Sequence, residues 1–288
     1  MIYRVFSFFK RPSKKEVVYI DSDEMLDTSL LEIEEFNKIA IDTEFNWRNT
    51  YFPELCLVQI ATSKKVYIFD VKINLNFDGM RKIFENKNIL KIFHAMRNDI
   101  SILKHFFNSD FINVSDTQIA EKVIQQSNDA SFGYKDLVKK YLNINIDKSE
   151  TNSDWKKRPL KKNQIRYAAD DVRYLIELMD ELKLKLKKYD VKMEFFELCE
   201  RELNISKESF SKLRLKKFKK NKNRSSLEQK IFLWREKEAE LDNVPPNKIF
   251  KESNIKKLGN YLLSDNIQEI DWIFNDNNMI EKFKRDFH

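Results

Sequence analysis

The first part of the chain is a series of short apolar runs separated by polar or helical stretches. Ile39–Ile41 and Leu55–Ala61 are apolar almost without alternation, which is typical of strands buried on both faces. Further strands are predicted at Val17–Ile20, Lys65–Asp70 and Leu90–Ala95. Strands in this succession, with helices between them, predict an α/β fold built on an open sheet of mixed strand order.

Apolar residues at helical spacing define the elements between and after these strands. Ser22 is placed to cap a helix that runs to Phe36, and helical spacing takes over again at Ile100. A late helix is predicted from Asn163 to about Lys188, because its apolar residues recur on one face. The chain has 288 residues, and single cores rarely grow beyond about 250, so we expect two domains.

Two acids interrupt the apolar run that begins at Ile39. Asp42 and Glu44 are two residues apart, so their carboxylates point to the same side of a strand. Carboxylates held together away from water repel each other, and a divalent cation between them would offset that cost. A metal site is one interpretation of the pair. The other is a strand end that frays into solvent.

Three further residues lie where a functional site could form, and each also has an ordinary explanation. Asp99 falls where a strand passes into a helix, and ligands collect at such carboxyl ends of strands. An acid in the first helical turn also complements the helix dipole. Tyr167 and Asp171 are four residues apart and project from one side of the late helix, as many surface pairs do.

Composition restricts the possible chemistry. The chain has only three histidines and three glycines, which argues against zinc sites, His-centred triads and phosphate-binding glycine loops, so we expect no nucleotide cofactor. Carboxylates are abundant and are the ligands that Mg²⁺ or Mn²⁺ prefers. The net charge of +7 suits a polyanionic partner. With two cysteines and no apolar run of about 18 residues, we expect a reducing cytoplasm and no membrane contact.

The acids and their neighbours form an ordered set of motifs. Asp42-x-Glu44, Asp99 and Tyr167-x-x-x-Asp171 are accompanied by other strings: Tyr51-Phe52-Pro53-Glu54-Leu55 with Gln59, Phe93-His94-Ala95, Asp147-Lys148-Ser149-Glu150, Asp154-Trp155 and Arg158-Pro159-Leu160. In order and spacing these motifs resemble the tyrosine-containing branch of the DEDD exonuclease superfamily, and within it the ribonuclease D family. The resemblance covers roughly residues 17–190. It implies a ribonuclease H-like mixed sheet flanked by helices.

This resemblance implies hydrolysis of RNA from its 3′ end by two divalent metal ions, Mg²⁺ or Mn²⁺, with release of nucleoside 5′-monophosphates. Four acids become metal ligands: Asp42 bridges both ions, Glu44 and Asp171 hold the ion that activates water, and Asp99 holds the ion facing the leaving 3′ oxygen. Tyr167, with an ordinary pKa of about 10, is a poor base and would orient the water. Family spacing selects Asp171 over the adjacent Asp170.

RNA contacts are expected beside these motifs and in a basic run. The residues that the resemblance implies are Thr43, Phe45, His94, Lys148, Trp155 and Arg158, with packing as the alternative role for Trp155. Lys212–Arg224 holds eight basic residues and no acid, and it either grips RNA phosphates or is a solvated linker. Its candidate contacts are Lys216, Lys217, Lys219 and Lys220. The implied partner is RNA with a free 3′ end, such as tRNA precursors, bound by a monomer.

A second resemblance begins near Ser226. Leu233–Ala239 and Asp242–Pro246 are similar to the small helical domain shared by helicases and ribonuclease D, abbreviated HRDC, and a generic helical bundle is the alternative. The predicted domains are an N-terminal extension (1–16), a DEDD exonuclease domain (17–190), a helical and basic linker (191–225) and one small all-α HRDC-like domain (226–288).

Two other functions remain as alternatives. A DNA-directed 3′–5′ exonuclease of the same superfamily would carry the same acids, although such enzymes commonly lack the helical tail. A non-catalytic nucleic-acid-binding module would be favoured if any acid of the set were missing, and none is. Because the full set is present, an exoribonuclease is the favoured hypothesis.

Overall fold

The structure is a computed structural model that describes residues 15–127, 132–147, 149–220, 223–264, 270–274 and 276–287. It divides into a large unit, residues 1–46 and 55–207, and a small unit, residues 47–54 and 208–288. Most of the predicted N-terminal extension, residues 1–14, lies outside the described residues.

A six-stranded mixed sheet organises the large unit. Its strands are β1 (Glu16–Ile20), β2 (Lys38–Asn46), β3 (Glu54–Ala61), β4 (Lys65–Asp70), β5 (Leu90–Phe93) and β6 (Val114–Asp116), and they lie side by side in the order β1-β4-β3-β2-β5-β6. The pairs β1–β4, β2–β5 and β5–β6 are parallel, whereas β3 and β4 are antiparallel. The predicted α/β class and mixed sheet are confirmed.

Eight helices of the large unit are described around this sheet. They are α1 (Asp23–Glu34), α2 (Met80–Glu85), α3 (Arg97–Phe107), α4 (Thr117–Ile124), α5 (Tyr134–Leu142), α6 (Lys162–Arg173), α7 (Leu175–Lys188) and α8 (Lys192–Ser206). Ser22 caps α1 as predicted, since its hydroxyl accepts the Met25 N–H at 3.3 Å. Among the strands, Cys56–Ala61 of β3 is fully buried, as its unbroken apolar run predicts.

The predicted late helix is broken in two by a tyrosine hydroxyl from α5. In a continuous helix the Tyr174 N–H would donate to the Asp170 carbonyl, four residues earlier. Instead the Tyr134 hydroxyl lies between them: it donates to the Asp170 carbonyl at 3.1 Å and accepts the Tyr174 N–H at 3.2 Å. A side chain inserted into the helical hydrogen-bond ladder is an established cause of a kink. Therefore α6 and α7 are separate helices.

The small unit is helical and has an aromatic core. Its helices are α9 (Phe210–Lys220), α10 (Ser226–Leu241), α11 (Pro246–Ile249), α12 (Ile255–Ser264) and α13 (Asn277–Phe287). The Trp234 ring lies 6.3 Å from that of Phe250 and 5.0 Å from that of Phe283, measured between centroids. Segment 47–54 adds the fully buried Tyr51, whose ring is covered by the Arg214 guanidinium at 4.4 Å.

The boundary between the units falls inside the region expected to be a linker, between Lys207 and Glu208. Helix α8 belongs to the large unit because Phe195 and Cys199 are buried in its core. Helix α9 belongs to the small unit because Phe218 is buried there and stacks on Phe232 at 4.4 Å. Over the described residues, no helix is both long enough and apolar enough to cross a lipid bilayer.

Candidate active site

Strand β2 and helix α6 bring three carboxylates together. Asp42 and Glu44 lie on β2 and Asp171 lies on α6, and each offers an oxygen within 4.8 Å of the other two. Strand β2 is held in place because the residues just before Asp42, Ile39–Ile41, are fully buried in the core. Carboxylate oxygens this close together are a suitable ligand set for a hard divalent cation.

Asp99 lies beside this cluster, in the first turn of α3. It is 8% exposed, and its carboxylate accepts a hydrogen bond from the Thr43 hydroxyl at 2.5 Å. Thr43 lies between Asp42 and Glu44 on β2, so one hydrogen bond ties the fourth acid to the acid-bearing strand. The charge of Asp99 also raises the pKa values of Asp42 and Glu44.

The site strongly disfavours four negative charges in the absence of a cation. Burial, followed by repulsion from neighbouring acids, holds the pKa values of Asp42 and Glu44 well above their ordinary range. Burial raises the pKa values of Asp99 and Asp171 to about 7. A hydrogen bond from Thr43 opposes the rise at Asp99, and the charge of Lys135 and a hydrogen bond from Tyr167 oppose it at Asp171. Binding of divalent cations would relieve this strain by neutralising the carboxylates.

A cavity of about 350 Å³ opens over the cluster. The described residues that line it are Asp42, His94, Gly133, Tyr134, Lys135, Thr151, Tyr167 and Asp171. The His94 Nδ1 atom lies 2.9 Å from the Thr117 hydroxyl. Burial lowers the pKa of the His94 imidazole, so this side chain lines the cavity in its uncharged form at pH 7. The cavity gives a ligand access to Asp42 and Asp171.

Tyr167 lines the cavity and is contacted by groups from two other segments, helix α5 and the loop before α6. Its hydroxyl is 3.2 Å from the Thr151 hydroxyl, its ring centroid is 5.9 Å from that of Trp155, and the Lys135 ammonium lies 4.8 Å from the ring centroid. Burial and the charge of Asp171 raise the pKa of Tyr167, so its hydroxyl keeps its proton at neutral pH.

The sequence that carries these residues matches a known family. A family profile described as 3′–5′ exonuclease matches residues 17–187 of this chain. The chain belongs to the 3′–5′ exonuclease family. The matched residues include the four acids and Tyr167, from β1 to the last turn of α7.

Among curated relatives in this family, several are ribonuclease D proteins. Ribonuclease D of Acidiphilium cryptum is 32% identical over 252 residues, which cover 86% of this chain and 64% of that protein. Ribonuclease D of Zymomonas mobilis is 33% identical over 226 residues, which cover 76% of this chain and 57% of that protein. The chain thus spans less than two thirds of the length of these relatives.

Solved structures of RNase D proteins share the fold of this chain. The crystal structure of Escherichia coli RNase D, described as an exoribonuclease involved in structured RNA processing, aligns with a TM-score of 0.79 at 22% identity, over 95% of this chain and 73% of that one. Trypanosoma brucei RNase D in complex with RNA U12 aligns with a TM-score of 0.58 at 22% identity, over 66% of this chain and 70% of that one. The predicted ribonuclease H-like fold is confirmed.

The residues that the sequence predicts as RNA contacts lie in different environments in the structure. His94 lines the cavity, whereas Thr43 is buried against Asp99 and Phe45 packs partly on the core. Trp155 is only 4% exposed and belongs to the core, which favours the packing role over base stacking. Lys148 lies outside the described residues.

Arg158 is engaged in a structural ion pair. Its guanidinium donates to both carboxylate oxygens of Asp70, which is fully buried, and also to the Cys56 and Trp155 carbonyls. The Tyr19 hydroxyl donates to the same carboxylate. These contacts tie the loop before α6 to the sheet, and they favour a structural role for Arg158 over the RNA contact expected from the sequence.

The candidate lysines of the basic run lie on α9 of the small unit. Lys216 pairs with Glu208 at 2.6 Å, and Lys217, Lys219 and Lys220 are exposed. Phe218, between them, faces the core of the small unit. Residues 212–220 of the run therefore lie in a helix with one buried aromatic residue, within the stretch predicted as a helical and basic linker, and the exposed lysines of this helix are available to a polyanion.

Three residues around Tyr167 were not identified from the sequence. Tyr134 and Lys135 begin α5, and Thr151 lies in the loop before α6. Lys135 is one of 53 basic residues, and nothing in its spacing distinguishes it from the others. The local signal for a polar contact here is Tyr134, which follows Gly133 at the start of the helix. A buried tyrosine usually hydrogen-bonds through its hydroxyl, so a polar partner is expected nearby.

Proposed function

We propose that this protein is a metal-dependent 3′–5′ exoribonuclease of the tyrosine-containing DEDD branch. The observation that carries the proposal is the meeting of Asp42, Glu44 and Asp171 beneath a cavity that also holds Tyr167. Membership of the 3′–5′ exonuclease family supports the direction of attack. Similarity to ribonuclease D proteins supports RNA as the substrate.

The acids fit a pair of divalent cations by the chemistry of their donors. Four carboxylates with raised pKa values lie in one site, and oxygen ligands of this kind select Mg²⁺ or Mn²⁺. The residues that would hold the ions are Asp42, Glu44, Asp99 and Asp171. When bound, such ions lower the pKa of an attacking water and stabilise charge on the phosphate and on the leaving oxygen.

The chain's own residues orient the reacting groups. In the hydrolysis, a water oxygen forms a new bond to phosphorus, the bond from phosphorus to the 3′ oxygen breaks, and that oxygen gains a proton. The products are a nucleoside 5′-monophosphate and an RNA shorter by one residue with a 3′ hydroxyl. Tyr167, kept protonated, orients the water through its hydroxyl. Thr43 holds Asp99 in place through its hydrogen bond.

The rest of the chain supplies RNA binding in this proposal. The small unit acts as an HRDC-like domain, and the exposed lysines of α9 contact phosphates. The substrates are RNAs with a free 3′ end, tRNA precursors among them, and the acting species is a monomer. Because both cysteines are buried free thiols, we place the activity in a reducing cytoplasm.

A comparison of RNA with DNA tests this proposal. Single-stranded RNA and DNA of one sequence are incubated with the protein and Mg²⁺, and the products are identified by mass spectrometry. The proposal predicts nucleoside 5′-monophosphates from RNA at a rate at least tenfold above that from DNA. Equal or faster hydrolysis of DNA would contradict the assignment of RNA, and 3′-monophosphates would contradict the assigned bond cleavage.

A further inference from the structure

We infer that Lys135 is a positioning residue that holds Tyr167 in the orientation needed for hydrolysis. The inference rests on the proposed function and extends it to a residue of α5 outside the acid set. Lys135 lies in the first turn of α5 and lines the same cavity as Asp42, Asp171 and Tyr167.

The Lys135 side chain is anchored at two points. Its ammonium group donates a hydrogen bond to the Asp147 carbonyl, in the loop that precedes α6. The same ammonium lies 4.8 Å from the centroid of the Tyr167 ring, within the range of a cation–π interaction. The hydrogen bond fixes the cation, and the cation in turn fixes the face of the ring.

The hydroxyl of Tyr167 has a separate restraint. It lies 3.2 Å from the Thr151 hydroxyl, which belongs to the same loop as Asp147. A tyrosine ring has two free rotations, about χ1 and χ2, and contacts at its face and at its hydroxyl limit both of them. Lys135 and Trp155 therefore restrain the ring, while Thr151 and Asp171 restrain where the hydroxyl points.

Lys135 is also the only lysine or arginine among the described residues that line the cavity. A direct contact with a substrate phosphate is therefore the competing role for the same side chain. The two roles predict different kinetics. A residue that orients Tyr167 affects kcat through Tyr167, whereas a residue that binds phosphate affects KM and the salt dependence of binding, whether or not Tyr167 has its hydroxyl.

Substitution of Lys135 separates these roles. Lys135→Met keeps the length of the side chain and removes the charge, Lys135→Arg keeps the charge, and Lys139→Met on the exposed face of α5 is the control. Removal of the cation–π interaction should lower kcat about threefold to tenfold with KM within about twofold. Lys135→Arg should recover most of kcat, and Lys139→Met should match the unmodified protein.

A double variant provides the decisive kinetic comparison. Tyr167→Phe keeps the ring and removes the hydroxyl, so in that background there is no hydroxyl left for Lys135 to orient. We expect Lys135→Met with Tyr167→Phe to have the same kcat as Tyr167→Phe alone. If Lys135→Met instead raises KM and flattens the salt dependence in both backgrounds, a phosphate contact replaces the positioning role.

Nuclear magnetic resonance tests the contact without relying on activity. The protein is prepared with ¹³C-labelled tyrosine, and the Tyr167 signal is assigned by its loss in Tyr167→Phe. Lys135→Met should shift or broaden that signal, and Lys139→Met should leave it unchanged. A Tyr167 signal that is identical in Lys135→Met would overturn the inference. An inactive unmodified protein whose Tyr167 signal responds to Lys135→Met would instead overturn the proposed function while leaving the contact in place.

Discussion

Asp170 and Asp171 are adjacent on α6, yet their carboxylates have different partners. Asp171 joins Asp42 and Glu44, with oxygens within 4.8 Å of one another, whereas Asp170 accepts a hydrogen bond from Arg173 at 2.7 Å. Neighbouring residues on a helix point about 100° apart, so only one of the two can reach the cluster. The geometry favours Asp171, the residue that the family spacing selects.

This difference predicts opposite outcomes for two matched substitutions. Asp171→Asn should lower RNA hydrolysis by at least a hundredfold, because it removes a charged metal ligand. Asp170→Asn should retain most of the activity, because Asp170 contacts Arg173 on another side of the helix. Steady-state rates on single-stranded RNA measure both effects, and circular dichroism checks that both variants fold. The reverse ranking would show that the register assigned to α6 is wrong.

The raised pKa values predict how the stability of the metal-free protein depends on pH. Asp99 and Asp171 have pKa values of about 7 in the folded protein, against about 3.9 in an unfolded chain. The folded state therefore binds more protons than the unfolded chain between about pH 4 and pH 7. The stability that this proton binding contributes is fully present below about pH 4 and is lost as the pH rises through 7. Urea unfolding in EDTA should show the cluster destabilising the fold more at pH 8 than at pH 5.

Neutralising one acid provides the control for that effect. Asp171→Asn should raise the free energy of unfolding of metal-free protein at pH 8, on the order of a few kcal/mol, and by roughly a third as much at pH 5, because the carboxyl of the unfolded chain is already ionised there. Mg²⁺ should stabilise the unmodified protein at pH 8 more than the variant. The idea of a strained acid cluster fails if Asp171→Asn changes stability equally at both pH values.

The exposed face of α9 predicts a change in the salt dependence of RNA binding. Replacing Lys217, Lys219 and Lys220 by Gln should reduce the slope of log K against log salt by about 0.7 for each phosphate that the variant no longer neutralises. A control variant carries Gln at the exposed Lys82, Lys87 and Lys139 of the large unit. Fluorescence anisotropy at several salt concentrations gives both slopes, and an unchanged slope in the α9 variant would rule out phosphate binding by this helix.

The ion pair between Arg158 and Asp70 predicts a loss of stability rather than of RNA affinity. Arg158→Met leaves a fully buried carboxylate without its cation, which should lower the free energy of unfolding by about 3 kcal/mol or more. Lys157→Met, at an exposed neighbouring position, should have little effect. Urea unfolding measures the loss. A stable Arg158→Met variant with weakened RNA binding would restore the role that the sequence suggested.

The parts of the fold and site that are predictable from sequence depend on local patterns. The strand at Ile39–Ile41 can be predicted because its apolar residues are contiguous. Asp42 and Glu44 can be identified as candidate site residues because acids seldom follow such a run. Motif order then connects these acids to Asp99 and to residues of α6. Apart from the motif order, these signals lie within a few neighbouring residues, where side-chain periodicity directly reflects exposure.

The parts that could not be predicted depend on contacts between distant residues. The break between α6 and α7 is caused by the Tyr134 hydroxyl, about 40 residues earlier in the chain, and no local pattern at Tyr174 reveals it. The basic run was expected in a linker because its charges obscure one buried residue, Phe218. The role of Arg158 depends on Asp70, a buried acid at a strand end whose partner is 88 residues away.

The most direct test of the account is hydrolysis of one single-stranded RNA labelled at either its 3′ or its 5′ end. The purified protein is assayed with Mg²⁺ or Mn²⁺, beside controls with EDTA and with Asp42→Asn. We predict immediate release of labelled 5′-mononucleotide from the 3′-labelled RNA, a ladder of gradually shortened products from the 5′-labelled RNA, and no products in either control. Tight RNA binding without metal-dependent products would contradict the account and would make this chain a binding module.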